Sequence, residues 1–141
     1  MNLLIINGPN LNLLGRREQE VYGYQTFEAY LEELRAEFKK ISIEYFQSNI
    51  EGELIDRIQD AGFKMDGIII NPGGYSHTSV AIADAIRAVP AKVTEVHISQ
   101  VFNREEFRKT LITASAAGGF ICGFGLEGYR MAILNFLVDC R

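Results

Sequence analysis

Two histidines, His77 and His97, are the side chains here best suited to move a proton near neutrality. Glu95 stands two residues before His97, so on an extended strand both side chains lie on the same side. From there the carboxylate can orient the imidazole or favour its charged form. A lone histidine at a strand end is commonly structural, and it is this spacing that marks His97 out. His77 lies in PGGYSHTS, where it opens a helical pattern. At the positive end of a helix dipole an imidazolium is disfavoured, so a neutral ring donating to a ligand is expected. Two histidines with no clustered carboxylate or thiolate make a weak ligand set, and no metal is expected.

Tyr22 is the third candidate, because its neighbours Glu20, Gly23 and Tyr24 look exposed rather than packed. A free phenol ionises near pH ~10, so a tyrosine acting as a base near neutrality needs a drop of roughly 2–3 units, or about 3–4 kcal/mol. One guanidinium at about 4 Å in an effective dielectric near 20 supplies about 4 kcal/mol. Arg17 in the same loop is sufficient by magnitude, with Arg104 or Arg108 as helpers. Lysine is instructive by its position. Lys39, Lys40, Lys64 and Lys92 fall at helix ends or strand starts, with only Lys109 near the candidate residues, so a Schiff base is not expected. No phosphate-binding glycine loop is present either. What remains is a cofactor-free proton abstraction beside a carbonyl, with arginines and backbone amides holding an anionic substrate.

These residues need elements to carry them. Leu3–Ile6 is an apolar run ending in Asn7 and reads as a buried strand. The stretch from Gly8 to Gly23 is long for a strand-to-helix connection, and such loops are commonly functional lids. Leu11, Leu13 and Leu14 argue against a solvated linker. From Thr26 to about Lys40, Phe27, Tyr30, Leu31, Leu34 and Phe38 keep helical spacing. Ile41–Gln47 alternates and reads as an edge strand; Ser48 and Glu51 form a capping-box pattern for a helix ending at Gly62. Gly67–Asn71 is a central strand, Ser79–Val89 a helix closed by Pro90, and Lys92–Ile98 a fourth strand. Asn103–Lys109 is a short charged turn or helix, Ala116–Phe124 a fifth strand, and Glu127–Cys140 a final helix. The alternation predicts a three-layer α/β fold: a flavodoxin-like, doubly wound sheet of five parallel strands in the order 2-1-3-4-5. Ligands in such sheets bind beyond the carboxyl ends of the strands, at the switch point between strands 1 and 3. The polar residues Asn7, Asn10, Asn71, Glu95, His97 and Ser99 fall there, with Pro9 just beyond the end of strand 1.

Composition narrows the class. With 141 residues, 48% apolar and 11% aromatic, the chain is expected to be one globular domain. A net charge of -4 argues against a nucleic-acid binder. No run approaches the ~20 apolar residues of a membrane span, and no signal peptide is read at the N-terminus. Cys122 and Cys140 are expected to be free thiols in a reducing cytoplasm. A flavin-type cofactor module is a rival for this fold. It would cradle phosphate in a loop rich in Ser, Thr and Gly after strand 1, and GPNLNLLGRR has no hydroxyl there.

The blocks NGPNLNLLGRREQEVYG, FQSNIEGELID, NPGGYSHTSVAIADAI, EVHIS, REEFR and GFGLEGYRMAI resemble, in order and spacing, the type II 3-dehydroquinate dehydratase family over nearly the whole chain. The resemblance implies an enzyme without metal or organic cofactor, assembled as a dodecamer of four trimers. The implied reaction is anti elimination of water from 3-dehydroquinate through an enolate. Tyr22 would be the base and Arg17 its activator; Asn10, with Pro9 and Gly74, would hold the water that stabilises the enolate oxygen. His97, oriented by Glu95, would protonate the leaving hydroxyl. Asn71, His77 and Arg108 would hold substrate polar groups, the amides of Ile98 and Ser99 its carboxylate, and Arg104 would help close the lid. Asp84 would reach the site of a neighbouring subunit. Gln100, Phe102 and the stretch TLITASAAG depart from the family's usual residues without touching these positions.

Overall fold

The computed structural model of the chain describes residues 1–16 and 18–139, with the backbone alone for Val21, Tyr22 and Asp139. Five strands, β1 (Asn2–Asn7), β2 (Ser42–Gln47), β3 (Gly67–Asn71), β4 (Lys92–His97) and β5 (Gly119–Cys122), form one parallel sheet in the order β2-β1-β3-β4-β5. The helices are α1 (Gln19–Tyr22), α2 (Phe27–Glu37), α3 (Glu51–Gly62), α4 (Val80–Ala88) and α5 (Glu127–Asp139). This is the doubly wound, flavodoxin-like order expected from the alternation of apolar runs and helical patterns.

The period of two along each strand sorts its side chains between two cores. Leu3, Ile5, Ile69 and Val96 pack with Phe27, Leu31 and Leu34 of α2 and Ala132, Ile133 and Phe136 of α5. Leu4, Ile6, Ile68, Ile70 and Val93 pack with Leu54 and Ile58 of α3 and Ile82, Ala85 and Ile86 of α4. Central strands that bury both faces must be apolar throughout, which is why β1 and β3 read as unbroken runs. Each fully buried Leu or Ile contributes about 1.5–3 kcal/mol. Thr26 caps α2 through the amide of Ala29 at 3.2 Å, and Ser79 caps α4 through that of Ile82 at 2.9 Å. Among the described residues no helix is long and apolar enough to cross a membrane.

Several boundaries differ from expectation. The Gly8–Gly23 stretch is not plain loop: Leu11–Leu13 is a 3-10 turn, and α1 adds one helical turn. Its leucines do pin it, with Leu11 and Leu14 buried in the α2/α5 core. Ser48 does not close a box with Glu51. Its hydroxyl accepts from the amide of Ile50 at 2.9 Å and bonds the Glu53 carboxylate, while the residue at the helix cap is Ile50. The fifth strand is only Gly119–Cys122, preceded by a 3-10 turn at Ala114–Ala116 and followed by Gly123 at φ 90. The charged segment forms two 3-10 turns, Val101–Asn103 and Glu106–Lys109.

Candidate active site

At the carboxyl ends of β1, β3 and β4 lies a cavity of about 130 Å³. Nine residues singled out from sequence line it: Pro9, Asn10, Asn71, Gly74, His97, Ile98, Ser99, Arg104 and Arg108. Leu11, Leu14, Gly73 and Val101 complete the wall. Arg17 and the side chain of Tyr22 lie outside the described residues, as does Cys140.

The floor is set by a close crossing of two loops. The amide of Gly8 donates to the carbonyl of Asn71 at 2.7 Å. A Cβ on Gly8 would stand 2.4 Å from the carbonyl oxygen of Pro72, so no larger residue allows the approach. Gly73 turns beside Pro9 at φ +60, in the region that favours glycine. Asn10 also takes a left-handed conformation, φ 69, which asparagine tolerates better than most residues. Its amide is held by Asn49 Oδ1 at 3.0 Å, and Gln47 Nε2 donates both to Asn49 Oδ1 (3.1 Å) and to the Gly8 carbonyl (3.2 Å).

Beneath the cavity a buried polar chain ties the first and third strands to α5. The Tyr129 hydroxyl donates to Asn7 Oδ1 at 2.8 Å and accepts from Asn71 Nδ2 at 3.1 Å. Asn71 Oδ1 accepts from the amide of Gly73 at 3.1 Å. Of the four hydrogen-bonding capacities of the Asn71 amide, this leaves one N–H and one lone pair for a ligand. Burial pushes the Tyr129 phenol far above its ordinary ionisation range, so it stays a neutral donor. Tyr45 is likewise pushed up by burial, to about 12.

Glu95 and His97 meet on one side of the strand, as their spacing suggested. His97 Nε2 lies 2.7 Å from Glu95 Oε1, and Glu95 is fully buried. Ser76 Oγ donates to Oε1 at 2.6 Å and Thr113 Oγ1 to Oε2 at 2.7 Å. The two histidine rings are 6.1 Å apart between centroids. His77 does not line the cavity wall, and its setting differs from the one expected. It ends a 3-10 turn, Gly73–His77, instead of opening α4. Its Nδ1 lies 2.8 Å from the carbonyl of Thr110, which can only accept. Nδ1 therefore carries the hydrogen, and the neutral ring offers Nε2 as an acceptor rather than a donor. The neutral ring is favoured chiefly by burial, which lowers the affinity of His77 for a proton, while the bond to the Thr110 carbonyl works the other way.

Arg104 and Arg108 give the cavity its positive wall. Arg108 Nε donates to Glu105 at 2.7 Å, Arg104 Nε is 3.6 Å from the same carboxylate, and Arg104 Nη1 reaches Ser99 Oγ at 3.3 Å. The Glu105 carboxyl is held below its usual range by its own backbone amide and by Arg108. The carbonyls of His97 and Ile98 accept from Gly123 (3.2 Å) and Gly125 (3.0 Å), which anchors the Ile98–Ser99 backbone. Asp84 is exposed on α4, 3.5 Å from Arg87, and is not part of this cavity. Lys109 pairs with Glu106 at 2.9 Å. Cys122 is a free thiol, 3.5 Å from Gln100 Oε1.

A parallel doubly wound sheet with a histidine–carboxylate pair and two guanidinium groups around a cavity at its switch-point edge defines the chain as a flavodoxin-like α/β protein with a polar, positively lined pocket. Comparison with known proteins agrees. The family model described as dehydroquinase class II matches residues 1–137, and the chain belongs to that family. A 3-dehydroquinate dehydratase of Aliarcobacter butzleri is 51% identical over 139 residues, covering 97% of this chain and 85% of the relative. One from Clostridium botulinum is 50% identical over 145 residues, with 99% of each chain covered. The crystal structure of the type II dehydroquinase from Butyrivibrio crossotus superposes with a TM-score of 0.94 at 48% identity, covering 97% of each chain.

Spacing alone singled out neither Tyr129, Asn49, Ser76 nor Thr113 for the site. Tyr129 had the periodicity of a core residue, and the other three carried no signal beyond lying in polar turns.

Proposed function

We propose that this chain is a type II 3-dehydroquinate dehydratase that removes water from 3-dehydroquinate by anti elimination through an enolate, giving 3-dehydroshikimate for aromatic amino-acid biosynthesis. The observation that carries the reading is the buried Glu95 carboxylate on His97 at the wall of a cavity bearing Arg104 and Arg108. A buried carboxylate on one ring nitrogen fixes the orientation of the imidazole, which a general acid needs. His97 protonates the departing hydroxyl. Tyr22, its phenol activated by Arg17, takes the proton beside the ketone. Water held by Asn10, Pro9 and Gly74 stabilises the enolate oxygen as charge develops there. Asn71, Arg108 and the amides of Ile98 and Ser99 bind the substrate's hydroxyls and carboxylate, His77 accepts from a hydroxyl through Nε2, and Arg104 closes the lid.

Asp84, exposed on α4, serves the site of a neighbouring subunit in a dodecamer of four trimers, and sedimentation at the mass of twelve chains is the check. The reaction is tested by mixing protein with 3-dehydroquinate and following the ultraviolet absorbance of the conjugated enone, with chelator and again after borohydride. A rise that survives both treatments supports a route without metal or Schiff base; no rise from folded protein overturns the reading. Tyr22→Phe is expected to abolish turnover with substrate binding retained, and a near-native rate would remove the tyrosine from the mechanism.

A further inference from the structure

Glu95 is a fully buried carboxylate, and its charge is tolerable only with donors on it. Two of these donors, Ser76 and Thr113, are hydroxyls that are themselves fully buried. Each hydroxyl has one hydrogen. Thr113 Oγ1 is 2.7 Å from Glu95 Oε2 and 3.2 Å from Ser76 Oγ, so the shorter contact takes its hydrogen to the carboxylate. Ser76 donates to Oε1 at 2.6 Å, on the same oxygen as His97. The two donors come from segments that are tied together. The carbonyl of Ser76 accepts from the amides of Ile112 (2.8 Å) and Thr113 (3.3 Å), and Thr110 in the same segment accepts from His77.

We propose that Ser76 and Thr113 are positioning residues: one hydroxyl on each oxygen fixes the rotation of the Glu95 carboxylate, which in turn holds His97 by its Nε2 hydrogen. The terminal torsion of a glutamate is broad, so its rotation is set by its partners and not by its own rotamer preference. Segment 110–113 therefore orients both histidines together, His97 through Thr113 and Glu95, and His77 through the carbonyl of Thr110. The proposal rests on the reading above for the role of His97 in turnover, though not for its tautomer.

The test combines nitrogen NMR of the imidazoles with steady-state kinetics on 3-dehydroquinate for the full chain and the variants Thr113→Val, Ser76→Ala and Thr113→Ser. Wild-type His97 is expected to carry a hydrogen on Nε2, in the neutral ring and in the charged ring alike. In Thr113→Val and Ser76→Ala the tautomers mix and kcat falls about tenfold or more, the worth of a hydrogen bond to a charged group, while KM stays within about twofold. Thr113→Ser restores both signals and rate. A wild-type Nδ1–H tautomer overturns the proposal whatever the variants do. So do folded variants with unchanged imidazole signals and kcat, or a Thr113→Ser that behaves like Thr113→Val. A wild-type protein inert toward 3-dehydroquinate overturns the assigned reaction alone, and the imidazole signals still decide the positioning.

Discussion

Tyr129→Phe removes one oxygen atom from the core and leaves the ring in place. The residue is fully buried, and its hydroxyl bonds Asn7 Oδ1 at 2.8 Å and Asn71 Nδ2 at 3.1 Å. Two neutral hydrogen bonds are worth about 1 kcal/mol each, and buried amide groups left without a partner cost about 1–3 kcal/mol apiece. The two groups left unpaired put the loss at about 2–6 kcal/mol. For 141 residues the unfolding entropy is roughly 0.3 kcal/mol per kelvin. A 3 kcal/mol loss therefore lowers the Tm by about 10 °C, readable by calorimetry or circular dichroism. Because Asn71 lines the cavity, its loosened amide is also expected to raise KM several-fold. A Tm within about 2 °C of the wild type would refute the reasoning, since it would mean that the polar chain under the site contributes nothing to stability.

His77 is held neutral by burial, so the folded chain takes up its proton at lower pH than the unfolded chain, in which it binds near pH ~6.5. The unfolded state therefore binds more protons in that window, and stability falls as pH drops through it; the drop in urea midpoint from pH 7 to 5 is expected to be smaller in His77→Gln, and equal drops would refute this. Thr94 is buried, and among the described residues its hydroxyl has no hydrogen-bond partner. Thr94→Val is expected to stabilise by about 1 kcal/mol, and a lower Tm would count against it. Gly8→Ala drives a Cβ against the Pro72 carbonyl, 2.4 Å away. The expected cost is about 1–3 kcal/mol with a fall in kcat/KM as Pro9 and Asn10 shift, and native melting and kinetics would show that the two loops can part freely.

Local patterns made the sheet legible. The unbroken runs of β1 and β3, the alternation in β2 and the helical spacing of Phe27, Tyr30, Leu31 and Leu34 each follow from burial of a particular face, and strand order followed from right-handed crossovers. The Glu95–His97 pair was legible because a period of two needs no tertiary information. Contacts between distant segments were not. The tautomer of His77 depends on a carbonyl 33 residues away, and the orientation of Asn71 on a tyrosine 58 residues away. The capping-box pattern at Ser48 misled because Glu53, two residues beyond the expected partner, reaches the hydroxyl. In the fifth strand, apolar content suggested length, but Gly118, Gly119 and Gly123 confine the pairing to four residues.

The period of two also explains why one small cavity can be served by two separate polar networks. Asn71 follows Ile69 onto the face toward α2 and α5, where Tyr129 meets it; Glu95 follows Val93 onto the face toward α3 and α4, where Ser76 and Thr113 meet it. A network confined to one face would have to crowd a buried carboxylate and a chain of amides into the same core, with the donors of one competing for the acceptors of the other. Dividing them across the sheet lets each polar group be satisfied from its own helical layer, and the two meet only at the strand ends, where Asn71 and His97 turn into the cavity. The switch point between β1 and β3 is where this division is possible, because the chain leaves the sheet toward opposite layers there. The position of the site thus follows from the same alternation that built the core.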